Sequence, residues 1–428
     1  MISPSPVWHP FTQHGLGEPI PMVERGEGAL LHCADGRTLI DGISSWWVIT
    51  HGHCEPRIVA AIQDQAARLD QVIFAGYTHE PAEQVARGLI RLAGSALPSS
   101  TPLTHVFFSD SGSTAVEVGL KMALGFWHNL GVPRHRVVVM EHSYHGDTIG
   151  AMSVGARGVF NHAYAPLLFD VEAIPFPANG HAQATLDALE RACRADERPA
   201  AFIIEPLILG AGGMLGYGAD VLGEMAAICA AHDVLLIADE VMTGWGRTGT
   251  LFACEQAGVT PDILCIAKGL TGGAVPLAAT LARARIFEAH RSPDRARMFF
   301  HSSSFTANPI SCAAAAANIA IWENEDVAAR VQTLGATMQQ GLDRLSRHRA
   351  LENPRRIGAI AAIDLKVPAG SGYLSDAAPR MRSLFLDRGL LLRPLGNIIY
   401  AMPPYCSSSD QIDSIFDAIG EAADCFGG

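Results

Sequence analysis

Two uninterrupted apolar runs that end in opposite charges constrain this chain most. Val234-Leu235-Leu236-Ile237-Ala238 runs into Asp239-Glu240-Val241, and Ile263-Leu264-Cys265-Ile266-Ala267 runs into Lys268-Gly269. An apolar run of this length without polar alternation predicts a strand covered on both faces, as in a parallel sheet. Two such strands carry a carboxylate and an amine to their carboxyl ends, the edge at which open α/β sheets bind ligands. An acid and a lysine there suit pyridoxal phosphate: the lysine forms a Schiff base with the aldehyde, and the acid keeps the pyridine nitrogen protonated. A structural ion pair at a strand end is the competing reading.

The surrounding sequence bounds the fold. At 428 residues, with 49% hydrophobic and 17% charged side chains, the chain has material for two cores and little tendency to disorder. A net charge of −12 argues against binding a nucleic-acid backbone, which needs a basic face. Met1 to Pro10 lacks the charged and apolar regions of a signal peptide. No apolar run reaches the roughly 18 residues of a membrane span. The nine cysteines are scattered, with no CxxC, and read as reduced thiols of a cytoplasmic protein.

In chain order, the aromatic tail Trp8-His9-Pro10-Phe11 is expected to be tied down. Asp35-Gly36 predicts a hairpin between residues 29–32 and 37–41. Trp46-Trp47, beside Ser44-Ser45, reads as core or as a pocket wall. His51-Gly52-His53-Cys54 resembles metal-ligand spacing but has no second cluster, so no metal is expected. Val106-Phe107-Phe108 predicts a strand, and Ser111-Gly112-Ser113-Thr114 then opens a helix. Val116, Leu120, Ala123 and Trp127 form its buried face, and Glu117 with Lys121 an exposed pair. A strand, a small-residue turn and a helix N-terminus can hold a phosphate, although many helices are capped this way without a ligand.

Arg136 to Met140 predicts another strand, leading to Glu141-His142-Ser143-Tyr144-His145-Gly146-Asp147. A contiguous Ser, His and Asp does not make a hydrolase triad, so this reads as a pocket loop. Residues 201–206 form a further strand before the glycine loop Gly210-Ala211-Gly212-Gly213, with helices over 186–193 and 222–232. Strands and helices thus alternate from about residue 104 to 283, the pattern of a parallel sheet with crossover helices. Beyond it, Asn308-Pro309 opens a helix to about Trp322. Residues 357–365, 390–394 and 398–400 read as strands, 379–388 as a helix, and Ser408 with Gln411 caps the last helix. The expected organisation is an N-terminal segment (1–50) packing with a C-terminal small α+β domain (306–428), around a large domain (51–305).

The motif Leu236-Ile237-Ala238-Asp239-Glu240-Val241, then Gly244-Trp245-Gly246-Arg247-Thr248-Gly249 and Lys268-Gly269, resembles the class III aminotransferases. These are fold-type I pyridoxal phosphate enzymes, and the resemblance runs over nearly the whole chain. Within the class, Trp8-His9-Pro10, Ser44-Ser45-Trp46-Trp47, Tyr144-His145-Gly146-Asp147-Thr148, Gly212-Gly213-Met214 and Arg393-Pro394 resemble the members of biotin biosynthesis. Those members move an amino group from S-adenosylmethionine to 8-amino-7-oxononanoate, giving 7,8-diaminononanoate.

The resemblance implies roles position by position. Lys268 carries the cofactor and then serves as acid and base, Asp239 pairs with the pyridine nitrogen, and Tyr144 lies against the ring. Gly112 and Ser113 hold the phosphate. Phe11, Trp46, Tyr144, Ser302 and Arg393 contact substrate. Ser303 and Ser304 belong to a loop that reaches the cofactor of a neighbouring subunit, so a homodimer is implied. The family usually has Gly-Pro-Thr where this chain has Ser302-Ser303-Ser304, and commonly tyrosine where it has Phe11. Alternatives are lysine as donor, another ω-amino acid transaminase, an aminomutase, or a non-catalytic sensor domain. The last needs a DNA-binding segment, and the tail before Gly42 is short and not basic.

Overall fold

The computed structural model describes residues 5–178, 180–367 and 375–426. A seven-stranded sheet lies at its centre, in the order Leu103–Ser109, Ala278–Arg283, Ile263–Ile266, Leu235–Asp239, Ala201–Ile204, Val137–Met140, Glu172–Ile174. The last five run parallel, and Ala278–Arg283 is antiparallel to both its neighbours. The apolar runs are strands buried along their whole length, as expected. Alternate side chains serve two cores. Leu236, Ala238 and Ile204 pack with Leu189, Leu222 and Met225, while Ile237, Ile203 and Ile263 pack with Val116, Leu120 and Ala123. Asp239 stands opposite Cys265 across a parallel pair, so Asp239 and Lys268 leave the sheet by the same edge.

The two ends of the chain share a second sheet. Leu30–Cys33 and Thr38–Asp41 form an antiparallel pair around the Asp35-Gly36 turn, Val23–Glu27 pairs antiparallel with Leu30–Cys33, and Leu390–Leu391 adds in parallel beside Ile40 and Asp41. A three-stranded sheet of Leu351–Ile357, Ile360–Leu365 and Ile398–Ala401 shares a core with residues of the helices Val327–Leu345 and Ser409–Phe426. Among the described residues, no helix is long and apolar enough to cross a membrane.

Several local expectations are corrected. The run 357–365 is two strands, not one. Gly358 turns the chain at φ +51°, and a Cβ there would sit 2.3 Å from the Gly249 nitrogen. The strand expected over 390–394 stops at Leu391, which frees Arg393 from the ladder. Glu117 does not pair with Lys121: its carboxylate accepts from the Thr148 hydroxyl and the Gly150 and Ala151 N–H groups, capping the helix Ile149–Ser153. Lys121 donates instead to the Phe300 carbonyl. The aromatic tail is tied down at Phe11, which packs on Trp46, while Trp8 is 88% exposed in this chain. His51 bonds Asn318 and His53 bonds Asp41, which accounts for both histidines of the His-Gly-His-Cys run.

Candidate active site

The carboxyl edge of the sheet opens into a cavity of about 430 Å³. Strand ends deliver its lining. Asp110 to Ser113 follow Leu103–Ser109, Tyr144 to Gly146 follow Val137–Met140, and Glu205 follows Ala201–Ile204. Asp239 ends its strand, and Lys268 follows Ile263–Ile266. Placing polar groups on strand ends holds them on rigid backbone while the loops beyond remain free to shape the mouth.

Asp239 is 4% exposed and accepts from two directions: Nδ1 of His145 meets Oδ2 at 2.7 Å, and the Val241 N–H donates to Oδ1 at 3.1 Å. Its partner is thus His145, and the competing reading of a simple Asp239–Lys268 ion pair does not hold. Lys268 takes a left-handed φ of +46°, an unusual conformation for a side-chain-bearing residue that marks functional sites. Its Nζ lies 5.4 Å from the centre of the Trp47 ring. Burial lowers the Lys268 pKa below the usual lysine range, against the opposing pull of Asp239 and Glu205. Tyr144 is raised above the phenol range by burial and then by Asp147.

The helix Gly112–Asn129 starts at the cavity. Ser111 caps it reciprocally with Thr114, and the first intrahelical bond is that of the Ala115 N–H. The Gly112 and Ser113 N–H groups precede that bond and point out of the helix end, where its dipole favours an anion. The approach is close. A Cβ on Gly112 would lie 2.5 Å from Val241 Cγ1, and one on Gly146, at φ +129°, would lie 2.1 Å from Ser113 Oγ. These residues suit a phosphorylated pyridine aldehyde: an N–H cradle for phosphate, a paired carboxylate for a ring nitrogen, and a buried amine with a lowered pKa.

The mouth is aromatic. Ser44, Ser45 and Trp47 all have positive φ (+53°, +57° and +65°), a costly run. Asp41, fully buried, stabilises it by accepting from the Ile43 and Ser45 N–H groups and from His53. The turn sends Trp47 inward, where its indole N–H donates to the Tyr400 hydroxyl at 2.9 Å, and leaves Trp46 at the rim, 47% exposed. The adjacent tryptophans therefore divide the two roles that the sequence left open. Arg393 lies 5.4 Å over the Trp46 ring and donates through Nη2 to the Phe11 carbonyl at 2.6 Å. The Phe11 ring stands 5.6 Å from Trp46 and 6.1 Å from Phe160. Phe11, Trp46 and Arg393 thus meet at one rim.

Ser302, Ser303 and Ser304 do not line this cavity. Ser303 Oγ donates to Asp110, which does line it, and the Ser304 carbonyl accepts from Gln71 at 2.7 Å. The sequence reading assigned no role to His145, Glu205, Asp110, Phe160 or Tyr400. The stretch containing His145 read as a pocket loop, but its pairing with Asp239 spans 94 positions and has no local signature.

Comparison with known proteins places this geometry. The model of the class-III aminotransferases matches residues 12–423. The adenosylmethionine-8-amino-7-oxononanoate aminotransferase of Synechococcus elongatus is 48% identical over 98% of both chains. That of Geobacter sulfurreducens is 37% identical over 96% of this chain and 94% of its own. Among solved structures, the adenosylmethionine-8-amino-7-oxononanoate aminotransferase of Methanocaldococcus jannaschii superposes with a TM-score of 0.91 at 31% identity, covering 98% of this chain and 97% of its own. An amine transaminase from an uncultivated Pseudomonas species, solved with pyridoxal phosphate bound, gives 0.91 at 30% identity over the whole of both chains. The fold is the fold-type I transferase fold, and pyridoxal phosphate is the cofactor. The chain belongs to the class III aminotransferases.

Proposed function

We propose that this enzyme moves an amino group from S-adenosylmethionine to 8-amino-7-oxononanoate, forming 7,8-diaminononanoate for biotin synthesis. The observation that carries the reading is the 48% identity, over 98% of both chains, to a relative of that name. The rim supports it. Trp46 and Tyr144 line the cavity and offer aromatic faces to a sulfonium cation, and Asp147, bonded to the Tyr144 side chain, adds a carboxylate behind them. Arg393 offers a planar fork to a substrate carboxylate.

When bound, pyridoxal phosphate supplies an aldehyde that takes up the amino group and a ring that accepts electrons from the carbon losing its proton. Lys268 would carry the cofactor, and its Nζ, whose pKa burial lowers, would take and return the proton. Asp239 would hold the ring-nitrogen proton, with His145 fixing its carboxylate. Gly112 and Ser113 would bind the phosphate, and Tyr144 would lie against the ring. Phe11, Trp46 and Arg393 would receive substrate.

We read residues 51–305 as the cofactor domain, with 1–50 and 306–428 closing over the substrate side. We also propose a cytoplasmic homodimer. Ile73, Tyr77, Phe300 and Phe305 are each at least 60% exposed, more large apolar surface than one chain buries for itself. The Ser302-Ser303-Ser304 loop lies between Phe300 and Phe305 in the sequence, and by the resemblance Ser303 and Ser304 would serve the partner's phosphate and Ser302 its substrate. Sedimentation tests the dimer: a fully active monomer would reject it. Product identification from the two substrates tests the reaction.

A further inference from the structure

Glu205 is a buried pocket carboxyl that the roles above leave unused. It follows the strand Ala201–Ile204, next to the strand that ends in Asp239, and is 4% exposed. Its two oxygens are divided between two loops. Oε1 accepts the Tyr144 N–H and Oε2 accepts the Gly210 N–H, both at 3.0 Å. The Tyr217 hydroxyl donates to the Glu205 carbonyl at 2.9 Å. The titratable groups facing it are His145 and Tyr144 from the loop after Val137–Met140, Asp239 and Lys268 from the two neighbouring strand ends, and Tyr217.

The two loops also touch each other. A Cβ on Gly212 would lie 2.1 Å from the His142 carbonyl oxygen, so their spacing leaves no room for error. Two N–H donors on separate oxygens require a carboxylate, because a glutamine would turn its NH₂ toward one of them. Burial and the charge of Asp239 oppose that ionisation and push the Glu205 pKa up to about 7.

We propose that Glu205 is a positioning residue for transamination: it pins the Tyr144 loop and the Gly210–Gly213 loop to each other beside the cofactor, and its negative charge adds to that of Asp239 in holding the proton of Lys268. The kinetic side of this rests on the transaminase reading. The anchoring side does not.

Glu205→Gln tests both. In the apoprotein, amide hydrogen exchange is expected to quicken about tenfold at whichever of Tyr144 and Gly210 the new NH₂ group faces, the effect of losing one buried acceptor. In the holoenzyme, kcat is expected to fall by about tenfold or more with the keto acid KM unchanged, and the limb of the kcat–pH profile near 7 is expected to vanish. The apoprotein gives an independent linkage signal. A carboxyl whose pKa rises from 4.5 to about 7 on folding loses its stabilising contribution as pH rises between those values. The Tm of E205Q relative to wild type is therefore expected to climb across that window. Wild-type exchange and kcat in E205Q overturn the proposal, as does a kcat loss that keeps the limb near 7. Altered exchange in E205Q, where the wild-type holoenzyme itself moves no amino group, overturns the transaminase reading and keeps the anchor. If E205Q does not fold, wild-type exchange decides: an opening that releases Glu205 to its ordinary pKa becomes easier as pH rises, so protection of Tyr144 and Gly210, corrected for intrinsic rates, is expected to be lower at about pH 8.5 than at about pH 5.5. Equal protection overturns the proposal.

Discussion

Arg393 donates through Nη2 to the Phe11 carbonyl at 2.6 Å while its guanidinium lies over the Trp46 ring. A neutral carbonyl is a weaker partner for guanidinium than a carboxylate. In the proposed role, a substrate carboxylate would meet an arginine already oriented by its aromatic neighbour and would compete with the N-terminal segment for it.

Arg393→Ala is expected to raise KM for the keto acid roughly ten- to hundredfold, the worth of a charge-assisted hydrogen bond. The absorbance of bound cofactor should not change, since Arg393 sits at the rim and Lys268 at the strand ends. Arg393→Lys should recover little, because an ammonium has neither the fork nor the stacking face. Steady-state kinetics with a cofactor spectrum for each variant checks this; an unchanged KM rejects the role.

Phe11→Tyr restores the hydroxyl common in the family at a ring that borders Trp46 and Phe160. One added hydrogen bond is worth about 0.5–1.5 kcal/mol. Donor affinity should shift several-fold, and cofactor affinity should stay put. Half-reactions with S-adenosylmethionine and with lysine measure the shift; identical donor profiles for both proteins would remove Phe11 from the donor site.

Gly112→Ala puts a methyl 2.5 Å from Val241 Cγ1 at the proposed phosphate cradle. Overpacking of this kind costs about 1–3 kcal/mol, so the cofactor Kd should rise roughly ten- to hundredfold. Val241→Ala in the same chain should recover most of it, because the two sites share one contact. Cofactor titration of the single and double variants decides; loss without recovery means that the clash is not the cause.

Lys268→Met should make the apoprotein more stable at neutral pH. Burial lowers the folded-state lysine pKa from its ordinary value of 10.5. The unfolded chain therefore binds more protons between the lowered value and 10.5, and native stability rises with pH across that window. The advantage of methionine should be largest below the window and shrink as pH rises through it. Melting curves of both apoproteins across pH measure this, and a pH-independent difference contradicts it.

The sequence was most informative where one residue type and one pattern sufficed. Apolar runs that end in Asp239 and Lys268 announce a sheet edge with an acid and an amine, and Ser111-Gly112 announces a helix end. Trp46 reads as core or pocket wall from its own neighbours, but the roles of Phe11 and Arg393 follow only from the resemblance, since those two lie 382 positions apart and no local pattern joins them. Glu205 looked like an ordinary strand end because its significance comes from two N–H groups on other loops. Glu117 and Lys121 had ideal helical spacing, yet a neighbouring helix end competed successfully for the carboxylate. The aromatic tail read as tied down, which holds at Phe11 and not at Trp8, because nothing in the local sequence indicates which side chain is covered by its own fold.

Holoenzyme is supplied with 8-amino-7-oxononanoate and either S-adenosylmethionine or lysine, and the product is identified by mass spectrometry. The account predicts 7,8-diaminononanoate with S-adenosylmethionine, and none from the Lys268→Met variant. Product with lysine and none with S-adenosylmethionine would contradict the donor, while no 7,8-diaminononanoate with either would contradict the proposed function.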